Sequence, residues 1–178
     1  MGRRVGSAVA VGGAPVRVTY SLGSNLGDRL AQLRAGAVAV LGDSTRLVAT
    51  SGIWETEPVG GPEQDAFLNA VVVVELADDA DPLAPAQRAE VAAGRRRTVR
   101  WGPRTLDVDV LDAGGRTSSD PRLTLPHPRA HERGFVLVPW AEADPEAVLP
   151  GAGRVAELAA ASSHEGLRRW ADPLLAPA

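Results

Sequence analysis

The sequence predicts an α+β fold, and three patterns carry that prediction. Residues 16–22 alternate between apolar and polar types, residues 29–41 repeat apolar side chains at helical spacing, and residues 67–76 form a nearly continuous apolar strand. With the later segments, the order of elements becomes βαββαβ. Short strands interleaved with two helices predict a ferredoxin-like sandwich, an antiparallel sheet with helices packed on it, and extra short helices at the C-terminal end.

Each element follows from local signals along the chain. The turn "GSNLGD" ends the first strand, and either Asn25 or Asp28 can cap the helix that follows. Prolines and glycines hold the loop at 55–66, and Pro82 suits the start of a helix. The expected elements are strands at 16–22, 46–54, 67–76 and 105–111, and helices at 29–41, about 82–93 and 155–170.

Length and composition predict one domain with short tails. Of the 178 residues, we assign 15–172 to the domain, 1–14 to a flexible N-terminal tail and 173–178 to a C-terminal tail. The absence of cysteine excludes disulfides, zinc–thiolate sites and thiol nucleophiles, and it suits a reducing cytoplasm. A net charge of −3 argues against a general nucleic-acid binder, and no apolar run approaches the roughly 18 residues of a membrane helix.

An acidic pair stands out in the stretch "RWGPRTLDVDVL". Asp107 and Asp109 are two residues apart, so a strand places both carboxylates on one face. Hard divalent cations such as magnesium bind carboxylate oxygens together with substrate phosphates and water. The alternative is a solvent-facing strand whose charges discourage aggregation, and the pair alone leaves both interpretations open.

Arginines surround this pair on both sides in the sequence. One group lies at 95–104 and a second, with two histidines, at 122–133. Arginine suits bidentate recognition of phosphate. Carboxylates that bind a cation, set among cations that bind phosphate, are typical of sites that move phosphoryl groups, although any single arginine can equally be a surface residue.

A second cluster has a different character. Thr56 borders a Gly/Pro loop at 58–62, and Phe67 and Asn69 begin the strongest strand. An amide inside an apolar strand needs a hydrogen-bond partner. Phe67 on its own is more typical of a core residue, but its ring also offers a face to a flat ligand.

Four motifs in this order resemble those of the 6-hydroxymethyl-7,8-dihydropterin pyrophosphokinases of folate biosynthesis. The resemblance covers about 16–170, and the third motif is the most specific. The motifs are "SLGSNLGDR" at 21–29, "TEPVGGPEQDAFLNAV" at 56–71, "RWGPRTLDVDVL" at 100–111 and "LTLPHPRAHERGFVLVPW" at 123–140.

The resemblance implies a role for each matched position. Asp107 and Asp109 match the pair that binds two Mg²⁺ ions on ATP, and they are implied to be catalytic together with Arg95, Arg97 and Arg104. The positions implied to bind the pterin are Thr56, Val59, Gly60, Phe67, Asn69 and Phe135. Those implied to bind ATP are Gln87, Glu90, Arg97, Arg104, Val110, Arg122, Thr124, His127 and Arg133.

Three departures from the family pattern affect these assignments. The arginine loop is about one residue shorter than in some relatives, which leaves the individual matches of Arg95, Arg96 and Arg97 open. Pro128 stands where some relatives have an aromatic residue, so the purine is packed differently. Phe67 lacks the hydroxyl of the tyrosine found in some relatives, although stacking survives that change.

The implied activity is pyrophosphoryl transfer from ATP to the hydroxymethyl group of the pterin, with release of AMP. We expect a cytoplasmic monomer that acts on these two small molecules and binds neither nucleic acid nor membrane. One alternative is a non-enzymatic ferredoxin-like module that binds a nucleotide or RNA, although RNA stacking needs aromatics where the central strand carries valines. Another is a kinase that transfers one phosphoryl group, although the pattern GxxxxGK[ST] is absent.

Overall fold

The structure, a computed structural model, describes residues 13–43, 45–58, 63–94 and 103–175. The strands are β1 (Val16–Ser24), β2 (Arg46–Thr50), β3 (Trp54–Thr56), β4 (Phe67–Leu76), β5 (Asp107–Ala113), β6 (Ser118–Asp120), β7 (Leu123–Leu125), β8 (Val148–Leu149), β9 (Gly153–Arg154) and β10 (Arg168–Arg169). The helices are α1 (Arg29–Val40), α2 (Leu83–Ala92), α3 (Gly134–Ala143) and α4 (Val155–Ala161). Among the described helices, none has the length and apolar character needed to cross a membrane.

The main sheet has the strand order β10-β3-β4-β1-β5, and β2 also pairs with β4. All of these pairings are antiparallel. Strand β1 pairs with β4 along its whole length, from Val16 opposite Leu76 to Ser24 opposite Leu68. With α1 and α2 as the connections, this topology confirms the predicted ferredoxin-like βαββαβ arrangement.

The sheet buries both of its faces, because successive side chains of a strand point to opposite sides. On one face, Tyr20 and Leu22 of β1 pack with Leu33 of α1 and Ala89 of α2. On the other, Val71 and Val73 of β4 pack with Trp140 of α3 and Ala159 of α4. The expected short C-terminal helices therefore cover the second face, and they cover it only part of the way along the strands.

Helix α1 shows which of the two candidate N-cap residues the structure uses and which of its side chains are buried. Of the two candidate caps, Asp28 is the N-cap, since its Oδ1 accepts a hydrogen bond from the Ala31 N–H at 3.0 Å. The helix buries Leu33 and Ala37 at the predicted spacing, and it buries Val40 instead of the expected Val38, which is 61% exposed. The side chain of Asn25 does not cap the helix and instead forms hydrogen bonds with Arg104, Gln64 and Asp65.

Three expected elements were wrong in their extent. The strand expected at 46–54 is interrupted, because the Ser51 hydroxyl accepts the Val71 N–H at 2.8 Å and the chain leaves the ladder there. Strand β5 is displaced toward the C terminus and runs on to Ala113, which is fully buried. The helix expected at 155–170 ends at Ala161, since the segment beyond it returns to the sheet edge as β10.

The C-terminal segment closes that edge of the sheet. The Trp170 N–H donates to the Ile53 carbonyl at 2.9 Å, and the Pro173 carbonyl accepts from the Arg34 side chain at 2.9 Å. Leu174 is only 2% exposed and belongs to the core. The packed chain therefore reaches at least this leucine.

Candidate active site

The central strand β1 brings together two clusters that lie far apart in the sequence. Gly23 is directly opposite Asn69 of β4 on one side and directly opposite Asp107 of β5 on the other. Residues that face each other across antiparallel strands present their side chains on the same face of the sheet. The amide and the acidic pair therefore share the face that α3 covers farther along, in the part that the helix leaves open.

The acidic pair lies as the alternation predicted. Val108 and Val110 are 6% and 5% exposed and enter the core under α1 and α2. The side chains of Asp107 and Asp109, on the opposite face, are 19% and 42% exposed. Arg104 forms an ion pair with Asp107, at the entrance to the strand.

His127 completes the described surroundings of the pair. Its Nε2 lies 3.8 Å from Oδ2 of Asp109. Its Nδ1 accepts the Arg129 N–H at 3.1 Å, so the neutral ring carries its proton on Nε2, toward the carboxylate. Burial, followed by the positive charge of Arg133, lowers the pKa of His127, while the neighbouring Asp109 acts in the opposite direction.

The electrostatics of the pair favour a bound cation. Partial burial and then the negative charge of Asp107 raise the pKa of Asp109, against the effects of His127, Arg133 and Arg104. A divalent cation between two such carboxylates would remove their repulsion, and carboxylate oxygens are the ligands that Mg²⁺ prefers. No larger group of metal-ligating side chains occurs in the part of the chain that the structure describes. The donor set thus fits magnesium that takes its remaining ligands from phosphates and water.

The outer edge of β5 is where three of the predicted ATP residues meet. Glu90 of α2 accepts the Val108 N–H through Oε1 at 3.1 Å. The strand pairs regularly from Asp107 to Val110, so by its alternation the N–H of Val110 faces the same edge as that of Val108. The Val110 side chain itself is in the core, so only its backbone is accessible to a ligand. Gln87 is exposed on α2, one helical turn before Glu90.

Arg122 and Thr124 lie on a hairpin, β6–β7, that the sequence analysis missed. The hairpin packs against β5 through β7. Arg122 has a 73% exposed side chain, 3.8 Å from Asp81, and the Thr124 hydroxyl donates to the Asp120 carbonyl at 3.3 Å. Both side chains are thus held near the edge strand while remaining open to solvent.

Arg133 and Phe135 lie at the N-terminal end of α3. The Arg133 guanidinium stacks over the Phe135 ring, with Cζ 5.7 Å from the ring centroid. Burial, and then the nearby charge of Arg129, lowers the pKa of Arg133. Phe135 is half-buried, so one part of its ring packs on the second core while the rest stays accessible.

The predicted pterin residues of β3 and β4 form one contiguous group. Asn69 is 4% exposed, and its Nδ2 donates to Thr56 Oγ1 at 2.9 Å and to the Trp54 carbonyl at 3.4 Å. Thr56 is directly opposite Phe67 in the ladder. Phe67 is partly exposed rather than fully buried, which leaves its ring available to a ligand.

Four of the predicted site residues lie outside the described residues. They are Val59 and Gly60 of the pterin group and Arg95 and Arg97 of the arginine group.

Asn25 is a site residue that the sequence analysis missed. It is 1% exposed, and its Oδ1 accepts the Arg104 N–H at 2.8 Å. Its Nδ2 donates to Gln64 Oε1 at 2.9 Å and to the Asp65 carbonyl at 3.1 Å. One side chain therefore ties the entry to β4 and the entry to β5 to the end of β1. A cavity of about 350 Å³ adjoins it, lined by Asn25, Leu26, Glu63, Gln64, Asp65 and Pro103.

Comparison of the chain with known proteins points to one family. A family model described as 7,8-dihydro-6-hydroxymethylpterin-pyrophosphokinase matches residues 19–145. A 2-amino-4-hydroxy-6-hydroxymethyldihydropteridine pyrophosphokinase of Mycobacterium tuberculosis is 49% identical over 148 residues, which are 77% of each chain. One of the same name from Pseudomonas aeruginosa is 39% identical over 155 residues, 86% of this chain and 96% of the relative.

Solved structures agree on the fold. A crystal structure of wild-type Plasmodium falciparum HPPK-DHPS with SDX-DHP superposes with a TM-score of 0.63 at 13% identity, covering 83% of this chain and 44% of that one. An HPPK-DHPS complex with substrates gives 0.64 at 11%, covering 87% and 46%. This chain thus spans slightly less than half the length of those solved chains. From its fold, the family model and its relatives, the chain belongs to the 7,8-dihydro-6-hydroxymethylpterin-pyrophosphokinase family.

Proposed function

We propose that the protein transfers a pyrophosphoryl group from ATP to the hydroxymethyl oxygen of 6-hydroxymethyl-7,8-dihydropterin, a step of tetrahydrofolate biosynthesis. The observation that carries the proposal is the row of Asn69, Gly23 and Asp107 across three adjacent strands. It sets an amide able to read a heterocycle beside carboxylates able to hold a cation and its phosphates. The names of the relatives support this substrate pair.

The pterin binds at the β3–β4 end of the row. Thr56 and Asn69 recognise the polar edge of the ring by hydrogen bonds, and Phe67 and Phe135 offer their aromatic faces to it. Stacking on partly exposed rings suits a flat heterocycle. Val59 and Gly60 are proposed to line the same pocket.

ATP binds along the β5 edge. The backbone of Val110 and the side chains of Gln87 and Glu90 approach the base and sugar, while Arg122, Thr124 and His127 approach the rest of the nucleotide. Arg104 and Arg133 supply positive charge beside the carboxylates, where the triphosphate has to lie. Arg95 and Arg97 are proposed to neutralise the reacting phosphates.

Asp107 and Asp109 would hold two magnesium ions. Such ions supply charge neutralisation of the triphosphate and a lower pKa for the attacking alcohol. The alcohol oxygen forms a bond to the β-phosphorus, and the bond from that phosphorus to the α,β-bridging oxygen breaks. AMP leaves with the electron pair, and the alcohol proton passes to water. The arginines stabilise the charge that moves onto AMP, so positioning and electrostatics provide most of the catalysis.

The nucleotide product tests the proposal. Incubation with ATP, magnesium and the reduced pterin alcohol should yield AMP and the pterin diphosphate. ADP would indicate a simple kinase, and no turnover would indicate a binding module.

Two isosteric variants test the carboxylates. Asp107→Asn and Asp109→Asn should each abolish turnover while the circular dichroism spectrum stays that of the wild type. Asp112→Asn, the same change on the same strand, is the matched control and should remain active. Near-normal turnover in either of the first two variants would contradict the assignment of the metal ligands.

The cytoplasmic location, the monomeric state and the single catalytic domain remain predictions. Sedimentation with and without both substrates would test the second of them, with a single species of monomer mass as the expected result.

A further inference from the structure

Gly23 lies at the centre of the row of site residues, between Asn69 and Asp107. Its backbone conformation does not require a glycine. Gly23 lies inside β1, and its φ is outside the left-handed region that favours glycine. Glycine in the interior of a strand is unfavourable relative to alanine, because it loses more conformational freedom on folding and has no side chain to pack. The reason for a glycine therefore lies in the space that a side chain would fill.

That space lies directly in front of one atom of the site. A Cβ at position 23 would lie 3.2 Å from Oδ1 of Asn69 and 3.8 Å from Cδ1 of Phe67. A hydrogen-bond donor to Oδ1 lies about 2.7–3.2 Å from it. A methyl group at position 23 would thus stand where a donor to Asn69 has to stand, beside the Phe67 ring edge.

The orientation of the Asn69 amide is fixed by its neighbours. Nδ2 donates to Thr56 Oγ1 and to the Trp54 carbonyl. Since a carbonyl can only accept, the nitrogen faces Trp54, and Oδ1 is left facing Gly23 as an acceptor. Asn69 is buried while Gly23 is partly exposed, so Oδ1 is reached through the gap at the glycine.

Thr56 is oriented by the same contact. Its oxygen accepts from Asn69, so its hydroxyl hydrogen remains to be donated. The edge of the pocket therefore combines one acceptor, Asn69 Oδ1, with one donor, the Thr56 hydroxyl.

We infer that Gly23 is a specificity-determining residue, because its missing side chain opens Asn69 Oδ1 to an N–H donor on the edge of a flat heterocyclic substrate. The inference rests on the proposed function and deepens it. The site selects a heterocycle that presents an N–H group at this edge, and the glycine supplies the clearance for it.

The test is Gly23→Ala, with binding of 6-hydroxymethyl-7,8-dihydropterin measured in the presence of a non-hydrolysable ATP analogue. The dissociation constant should rise about 10- to 100-fold, the size expected for losing one buried hydrogen bond. The affinity for the ATP analogue alone should stay within about twofold. Gly42→Ala is the matched control, since its added methyl would meet only the end of the flexible Arg88 side chain, and it should bind both ligands normally.

A double-mutant cycle separates this role from a general distortion of the strand. The cycle is run on kcat/KM for the pterin, which stays measurable when binding is weak. In an Asn69→Ala background, adding Gly23→Ala should change kcat/KM by no more than about twofold, because the hydrogen bond it blocks is already gone. An equal loss in both backgrounds, or a parallel loss of ATP-analogue binding, would overturn the inference.

Different binding results would overturn the proposed function and the role of Gly23. Wild-type protein that binds the ATP analogue but not the pterin would overturn the proposed function, and this inference with it. Wild-type protein that binds the pterin, with Gly23→Ala binding it equally well, would overturn only the role of Gly23.

Discussion

Replacing Asn25 by alanine should lower both the stability of the fold and the catalytic efficiency of the site. The side chain accepts one hydrogen bond, from the Arg104 N–H at 2.8 Å, and donates two, to Gln64 at 2.9 Å and to the Asp65 carbonyl at 3.1 Å. Asn25 is 1% exposed, and its removal leaves the Arg104 N–H and the Asp65 carbonyl without this partner.

The cost can be worked out from those three bonds. Gln64 is partly exposed and can turn its amide to solvent, whereas the two backbone groups keep their positions. A hydrogen bond contributes about 1 kcal/mol net, and a buried group left unpaired costs about 1–3 kcal/mol. The expected loss is about 3 kcal/mol, less than the 5–15 kcal/mol typical of a domain, so the variant should still fold.

Urea denaturation followed by circular dichroism measures this loss. With a slope of about 2 kcal/mol per molar urea, the midpoint should fall by about 1.5 M. Asn25→Asp, which keeps the acceptor for Arg104 but loses both donated bonds, should fall by an intermediate amount. kcat/KM should drop for Asn25→Ala, because Arg104 is the residue paired with Asp107. A midpoint within about 0.3 M of the wild type would refute the reasoning that Asn25 ties the two strand entries together.

Two further perturbations address the fold around the site. Burial alone would raise the pKa of Glu142, but hydrogen bonds from Arg169 and Trp54 lower it below its ordinary value. A carboxyl whose pKa is lowered in the folded protein adds stability above its ordinary pKa of 4.5 and loses that stability as the pH falls through the folded pKa. Glu142→Gln should therefore lower the urea midpoint at about pH 7, and its difference from the wild type should shrink as the pH falls below 4.5. A gap independent of pH would contradict this. Gly36→Ala in α1 should destabilise by about 1–3 kcal/mol, since its Cβ would lie 2.7 Å from a methyl of the buried Leu106, although alanine normally favours a helix; a raised melting temperature would exclude the clash.

Much of the fold could be predicted because its signals are local. The run at 67–76 is strand β4 from end to end, since a short, β-branched apolar run bounded by turns has few other solutions. The alternation of Asp107 to Val110 likewise placed the carboxylates on one face and the valines in the core. In both cases the pattern within the element determines the outcome.

The predicted elements that were wrong in extent depend on contacts between residues far apart in the sequence. Nothing within 46–54 shows that Ser51 will accept the Val71 N–H and end the strand. The apolar spacing of 155–170 fits a helix, yet Arg168 pairs with Glu55 on β3 instead. A short terminal segment can form a strand when it lies beside the edge strand of a sheet, and the periodicity of its own sequence does not show whether such an edge is available.

The same limit applies to the site. The roles of Asn25 and Gly23 depend on which residues face them from other strands. For the first, the sequence shows only an asparagine in the turn "GSN", and its burial, which makes hydrogen-bond partners necessary, appears only in the structure. For the second, a glycine inside a predicted strand is a weak signal, as it marks a close approach without identifying the group that approaches.

The row of Asn69, Gly23 and Asp107 also fixes the distance between the two ends of the site. Adjacent strands are about 4.8 Å apart, so the anchor for the heterocycle and the anchor for the phosphates are separated by about 10 Å. Backbone hydrogen bonds hold that spacing, and it does not depend on any side-chain rotamer. A substrate with a longer arm between ring and alcohol would overshoot the carboxylates. Side-chain changes could adjust the reach at either end, but the distance between the anchors can change only in steps of a whole strand.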